Sequence, residues 1–258
     1  KHSHLCVGLD PALPRQRMKN TINPEYLQGK DENEARLSFC LDIVEATKVS
    51  ACTFKPNQQY VMGWTKKDHQ RLTAAIRRSG SVSILDYKLG DIGDTIESAL
   101  FHIREWGYDA LTFNPFLGNL ESTVEQAHTI DPRLGILVLA LTSNPEAVRY
   151  QKDATFSGRP LYLVIAEDVK RFGADGCVVG VTANISEDNM RRIRSVIGEE
   201  SVILIPGVGT QRGDLQVVKA AGANILVNVS RDIIYSKDPR GKAEEYRIGI
   251  RDAVLAKY

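Results

Sequence analysis

Cysteine is scarce and scattered. Cys6, Cys40, Cys52 and Cys177 include no Cys-x-x-Cys pair, which excludes a disulfide framework and leaves buried thiols of a reducing compartment. The histidines offer a metal little. Only His2 and His4 stand close together, at the start of the chain, so no metal is expected. No apolar run reaches membrane-spanning length and no signal-peptide pattern opens the sequence, so a cytoplasmic protein without a membrane partner is expected. An excess of one charge is missing too. With 33 basic against 32 acidic residues, the net charge of +1 advertises no nucleic-acid surface, although a local cationic pocket for a small anion stays open. Internal repeats, low-complexity tracts and linkers are absent, so residues 1–258 are expected to form one domain.

What the sequence has in quantity is alternation. Short apolar runs that read as strands lie at 4–10, 52–55, 82–88, 110–114, 135–141, 176–181, 202–205 and 225–229. Helical periodicity follows each, at about 34–48, 67–78, 92–106, 120–127, 161–172, 188–197 behind a Ser186 cap, 215–221 and 242–256. Strands that are nearly all apolar suit a parallel sheet buried on both faces. Eight strand–helix pairs in 258 residues match an α/β fold of the (β/α)8 TIM-barrel type. The competing open, doubly wound sheet carries a Gly-x-Gly-x-x-Gly turn after its first strand. Here the first strand ends Gly8-Leu9-Asp10-Pro11 instead.

In such a barrel the C-terminal strand ends and the loops after them build the site. Those positions carry Asp10, Lys55, Asp86, Lys88, Asn114, Thr142-Ser143-Asn144, Thr182 and the loops after Pro206 and Val229. Asp86 and Lys88 stand two apart on a strand, so they project side by side while Tyr87 points the other way. Asp91 follows in the turn, and Thr95 lies one helical turn further on. Such a pair is either a salt bridge at a strand end or a piece of chemistry. Lys55, on the neighbouring strand, falls between Asp10 and that pair, where alternating charges can satisfy one another. Across the mouth, Pro206-Gly207-Val208-Gly209-Thr210-Gln211 leads into a helix, and N–H groups at a helix start form an anion site. The last strand runs out through Ser230 and Arg231. Barrels often hold a phosphate between their last two loops, so a phosphomonoester ligand is expected.

With those residues in place, the chain resembles the orotidine 5′-phosphate decarboxylase family over essentially its whole length, and looks closest to the type 2 subfamily. The resemblance rests on Val-Gly-Leu-Asp-Pro at 7–11, Phe-Lys-Pro at 54–56 and Asp-x-Lys-x-x-Asp-Ile at 86–92. Thr-Phe-Asn-Pro-Phe-Leu-Gly at 112–118, Thr-Ser-Asn-Pro at 142–145 and Pro-Gly-Val-Gly at 206–209 complete it. It implies decarboxylation of orotidine 5′-phosphate to uridine 5′-phosphate (UMP), the last step of de novo UMP synthesis, without a cofactor. Lys55, Asp86, Lys88 and Asp91 match the family's catalytic Lys-Asp-Lys-Asp network, with Lys88 as the general acid. Asp91 and Thr95 are implied to reach into the neighbouring subunit's site of a homodimer. Asp10 matches the aspartate on the ribose hydroxyls and Ser143 the serine at the pyrimidine edge. Gln211 and Arg231 match the phosphate ligands, with Gly209 and Ser230 beside them.

Two departures stand out. Leu89 occupies a position where type 2 members often carry arginine, and the segment 153–160 matches no ligand residue. The Asp-x-Lys-x-x-Asp motif is also shared with metal-dependent sugar-phosphate enzymes. Those place an acidic metal ligand where this chain has Lys55, whose ammonium would repel a divalent cation. A barrel that binds a nucleotide without chemistry is a third reading. Such members usually lose a charged residue, and here both lysines and both aspartates are present.

Overall fold

Strands that are apolar on both faces need cover on both sides, and the chain supplies it by closing its sheet and ringing it with helices. Residues 3–181, 185–207 and 212–255 are described by a computed structural model. Its strands are β1 (Leu5–Leu9), β2 (Thr53–Pro56), β3 (Val82–Leu89), β4 (Ala110–Phe113), β5 (Gly135–Leu141), β6 (Gly176–Val179), β7 (Val202–Pro206) and β8 (Ile225–Val229). They pair in parallel in chain order, and β8 returns to β1 with Leu5 opposite Val227, which closes the barrel. Around it run α1 (Glu32–Thr47), α2 (Lys66–Arg78), α3 (Gly93–Glu105), α4 (Leu120–Ile130), α5 (Leu161–Arg171), α6 (Glu187–Ile197), α7 (Arg212–Ala220) and α8 (Pro239–Leu255). This is the expected (β/α)8 barrel. No helix among the described residues is long and apolar enough to cross a membrane.

One layer of the barrel interior is a cluster of Cys6, Ile84, Ala110, Leu137, Val178 and Leu204, one residue from each of six strands. Side chains alternate along a strand, so the residues two positions further also face inward. Those residues include Gly8, Asp86, Thr112, Leu139, Gly180 and Pro206. One step towards the C-terminal strand ends the interior therefore gains its first polar side chains in this set, Asp86 and Thr112, beside Leu139 and Pro206.

Helix starts are fixed by local chemistry. Thr65 and Ser186 each close a capping box, with Asp68 and Asn189 as the reciprocal partners. Such caps are worth about 1 kcal/mol each. At the face opposite the C-terminal strand ends, the buried Arg194 donates to the carbonyls of Ala221, Gly198, Ser201 and Asn224. One guanidinium thereby fastens the end of α6 to the turns before β7 and β8.

The fold adds elements that periodicity did not suggest. Short helices occupy Gln58–Val61 and Arg231–Ile234. After β5 comes a π-helical turn, Val148–Asp153, and then a small antiparallel hairpin pairing Thr155–Phe156 with Arg159–Pro160. The segment 153–160, which matches no ligand residue, runs from the end of that turn through the hairpin, whose two-residue strands are too short to show a period.

Candidate active site

Strand alternation brings Asp86 inward on β3, and Lys55 meets it from β2. The Lys55 ammonium binds Asp86 Oδ2, and the Lys88 ammonium binds Asp86 Oδ1 at 2.6 Å. Lys55 is 5% exposed and Asp86 8%, so the carboxylate is shared by two cations with little help from water. Burial alone would raise the Asp86 carboxyl, but the charges of Lys55 and Lys88 outweigh it and hold it well below the usual carboxylate range. Burial works against the Lys55 ammonium, and Asp86, then Asp10, more than compensate, leaving its pKa above the ordinary lysine value. Both groups are charged at neutral pH.

The end of β3 is not a plain strand. Its register against β4 shifts between Leu85 and Leu89, and Lys88 adopts φ +54°. A side-chain-bearing residue in that left-handed region costs about 1–2 kcal/mol. Thr112 accepts from the Lys88 N–H at 2.9 Å and donates to Asp86 Oδ1 at 3.1 Å. Leu89 turns the other way, into the main core opposite Phe113. Leu89, one of the two departures noted in the sequence, is a core residue.

Asp10 acts on Lys55 through its charge, as the sequence suggested, but does not contact it. Its Oδ2 accepts from Ser230 Oγ at 2.7 Å, and no described residue forms an ion pair with it. The cause is the β1–β8 pairing, which sets Ser230 closer to Asp10 than Lys55 is. Gly8 permits this approach, since a Cβ there would stand 2.8 Å from Ser230 Cβ. Tyr235 fastens the same corner, donating to Asp10 O at 2.6 Å and accepting from Ala12 N at 2.9 Å. Asp10 Oδ1 is buried and has no hydrogen-bond partner among the described residues.

Asp91 also stands apart from the lysines. Its carboxylate accepts from Ile92 N at 2.9 Å, and its carbonyl accepts from Asn119 Nδ2 at 2.9 Å. Thr95 is exposed on the first turn of α3. Ser143 packs closely against Gly180, which has no side chain. A Cβ on Gly180 would lie 2.6 Å from Ser143 Cβ. Arg231 is exposed at the start of the short helix after β8. Gly209 and Gln211, expected at the phosphate, lie outside the described residues, as does Thr182.

These elements surround a cavity of about 1000 Å³ reached by Lys55, Asp86, Lys88, Thr112, Ser143 and Pro206. Tyr150 and Phe156, from the π-turn and hairpin, and Phe116 also line it. Gln151 ties the π-turn to β5, its Oε1 accepting from Thr142 N at 2.7 Å. Thr112, Asn119, Gln151 and Tyr235 were not singled out in the sequence. Thr112 could have been found by counting two positions from Ala110 rather than taking the strand's last polar residue, Asn114. For the other three, no local pattern separates them from ordinary loop residues.

Comparison with known proteins gives a consistent result. The model of the orotidine 5′-phosphate decarboxylase / HUMPS family matches residues 3–246. A Bordetella pertussis protein named orotidine 5′-phosphate decarboxylase is 35% identical over 275 residues, covering 98% of this chain and 93% of its own. One of that name from Roseiflexus castenholzii is 36% identical over 274 residues, with the same coverage of 98% and 93%. Among solved structures, the OMP decarboxylase of Leishmania donovani superposes with a TM-score of 0.76 at 25% identity, covering 98% of this chain and 94% of its own.

Proposed function

Because the chain belongs to the orotidine 5′-phosphate decarboxylase / HUMPS family, we propose that it decarboxylates orotidine 5′-phosphate to UMP without a cofactor. The observation that carries the reading is the Lys55–Asp86–Lys88 chain of contacts bordering the cavity. When the bond from C6 of the pyrimidine to the carboxyl carbon breaks, carbon dioxide leaves and the electron pair stays on C6 in the ring plane. The ring π system cannot take up that charge. A preorganised cation can. In this reading the Lys88 ammonium faces C6 and then gives it a proton as general acid, and solvent restores the proton to the amine. Asp86 holds Lys88 in place, and Lys55 keeps Asp86 ionised.

The remaining residues divide the rest of the nucleotide. Ser143 reads the pyrimidine edge. Asp10, with a buried acceptor oxygen that has no partner, takes a ribose hydroxyl. Ser230, Arg231, Gly209 and Gln211 take the phosphate, whose binding energy is used at the distant reacting carbon. Asp91 and Thr95 serve the site of a second subunit in a homodimer. Two features support that assignment. The Asp91 carboxylate makes no ion pair with the described residues of its own chain, and the turn fastened to it by Asn119 exposes Phe116 and Leu117.

The family description also joins a second name, and metal-dependent sugar-phosphate chemistry is the competing reading. The buried Lys55 ammonium opposes it, because it occupies the carboxylate a divalent cation would need. Release of carbon dioxide from orotidine 5′-phosphate, assayed with and without excess chelator, separates the two. Turnover that ignores chelator is expected. Activity abolished by chelator and restored by magnesium would overturn the proposal. In the same assay Lys88→Ala should lower turnover by about 1000-fold or more while UMP still binds. Undiminished turnover in that variant would remove Lys88 from the role of acid.

A further inference from the structure

Between Leu85 and Leu89 the chain carries more residues than its neighbour can pair. Leu85 stands opposite Leu111 and Leu89 opposite Phe113, so Asp86, Tyr87 and Lys88 share the single residue Thr112. A surplus of this kind leaves backbone groups without ladder partners. Here a side chain takes over the ladder's work. The Thr112 hydroxyl accepts from the Lys88 N–H at 2.9 Å and donates to Asp86 Oδ1 at 3.1 Å. That same Oδ1 receives the Lys88 ammonium at 2.6 Å.

We propose that Thr112 is a positioning residue for the decarboxylation, clamping the left-handed backbone of Lys88 and the Asp86 carboxylate with one hydroxyl. The proposal rests on the reading of the reaction given above. The contacts form a closed ring running from the Lys88 N–H through Thr112 Oγ1 and Asp86 Oδ1 to the Lys88 ammonium. Lys88 is held at both ends, by its backbone and by its terminal charge. Few groups can fill this place, because the position needs one small atom that accepts and donates at once, which a hydroxyl does. Thr112 is 1% exposed, so bulk water cannot stand in for either bond. Its β-branch suits a strand, which makes packing a competing reason for threonine here. The two reasons separate by substitution. Valine keeps the shape and loses the hydroxyl, whereas serine keeps the hydroxyl and loses the methyl.

The experiment compares wild type, Thr112→Val and Thr112→Ser in steady-state turnover of orotidine 5′-phosphate, UMP binding, thermal unfolding and hydrogen exchange at the Lys88 amide. For Thr112→Val, kcat should fall about 10- to 100-fold, with KM and UMP affinity within about threefold. Exchange at the Lys88 amide should speed up about tenfold or more. Thr112→Ser should unfold at a lower temperature yet keep kcat within about threefold of wild type. Wild-type kcat in Thr112→Val, or equal losses in the serine and valine variants, would overturn the proposal. Should the valine variant fail to fold, Thr112→Ala takes its place, with the same fall in kcat expected and wild-type kcat overturning it. If the unmodified enzyme does not turn over orotidine 5′-phosphate, it is the reading of the reaction that fails. Amide exchange still judges Thr112 then, and an unchanged Lys88 amide in Thr112→Val would end the proposal.

Discussion

Asp86 is a carboxylate that water scarcely reaches, kept ionised by two ammonium groups, and that arrangement makes stability depend on pH at both extremes. Its folded pKa lies below the ordinary 3.8, so its contribution is present above that value and is lost as pH falls towards the folded pKa. Lys55 behaves oppositely. Its folded pKa lies above the ordinary 10.5, so its contribution is complete below that value and is lost as pH rises through the folded pKa. Asp86→Asn leaves two ammonium groups uncompensated and should cost about 3 kcal/mol or more at pH 7. The gap to wild type should narrow as pH drops below about 4, because asparagine does not titrate. Thermal melts across that range measure it, and a constant gap would show that Asp86 stabilises the fold through shape and not charge. The pairing of Asp86 with Lys88 was legible in the sequence, because a period of two puts both on one face. The left-handed turn at Lys88 was not. No residue type announces it, and the cause lies in a neighbouring strand that offers one residue against three.

Elements differ in how openly the sequence shows them. Every barrel strand could be read from its apolar run, and each lies within two residues of its expected limits at either end, because burial on both faces leaves little choice of residue. The π-turn and hairpin were illegible, since their order comes from single contacts such as Gln151 to Thr142. The side expected to take the phosphate falls between. Pro206-Gly207 and Ser230-Arg231 could be recognised as loops leaving β7 and β8, and the structure sets Ser230 against Asp10. Arg231 is exposed on a helix of only four residues. Arg231→Ala should weaken UMP binding by about 10- to 100-fold and leave the affinity for uridine, which lacks the phosphate, unchanged. Calorimetry with both ligands tests this. Equal losses for both would move Arg231 away from the phosphate.

At the scale of the whole molecule, the charge network is divided. Lys55, Asp86 and Lys88 are in contact within one chain, whereas Asp91 is turned towards Ile92 and Asn119. If a second subunit receives Asp91, inactive variants should rescue one another. Subunits carrying Lys88→Ala mixed with subunits carrying Asp91→Ala should recover about a quarter of wild-type activity, since half the dimers are mixed and each has one intact site. No recovery after verified subunit exchange would mean that each subunit is self-contained. The barrel could be anticipated from eight alternations. A homodimer was implied only by the family resemblance, because exposed apolar residues such as Phe116 and Leu117 have no period that distinguishes a partner surface from a loop.

Tyr235 carries a consequence for how this molecule comes into being. Its hydroxyl joins the loop after β1 to the segment after β8, at the seam where the first and last strands meet. A chain emerging from synthesis can assemble β2, β3 and β4 early, and with them Lys55, Asp86, Lys88 and Thr112. Asp10 has to wait. It gains Ser230 and Tyr235 only after more than two hundred further residues have been added. The charged half of the site is thus built from neighbours in sequence, and the half assigned to ribose and phosphate from the chain's two extremes. On the proposed assignment, nucleotide binding would report that the last strand has docked, and a ligand present during folding would draw the barrel shut along that seam.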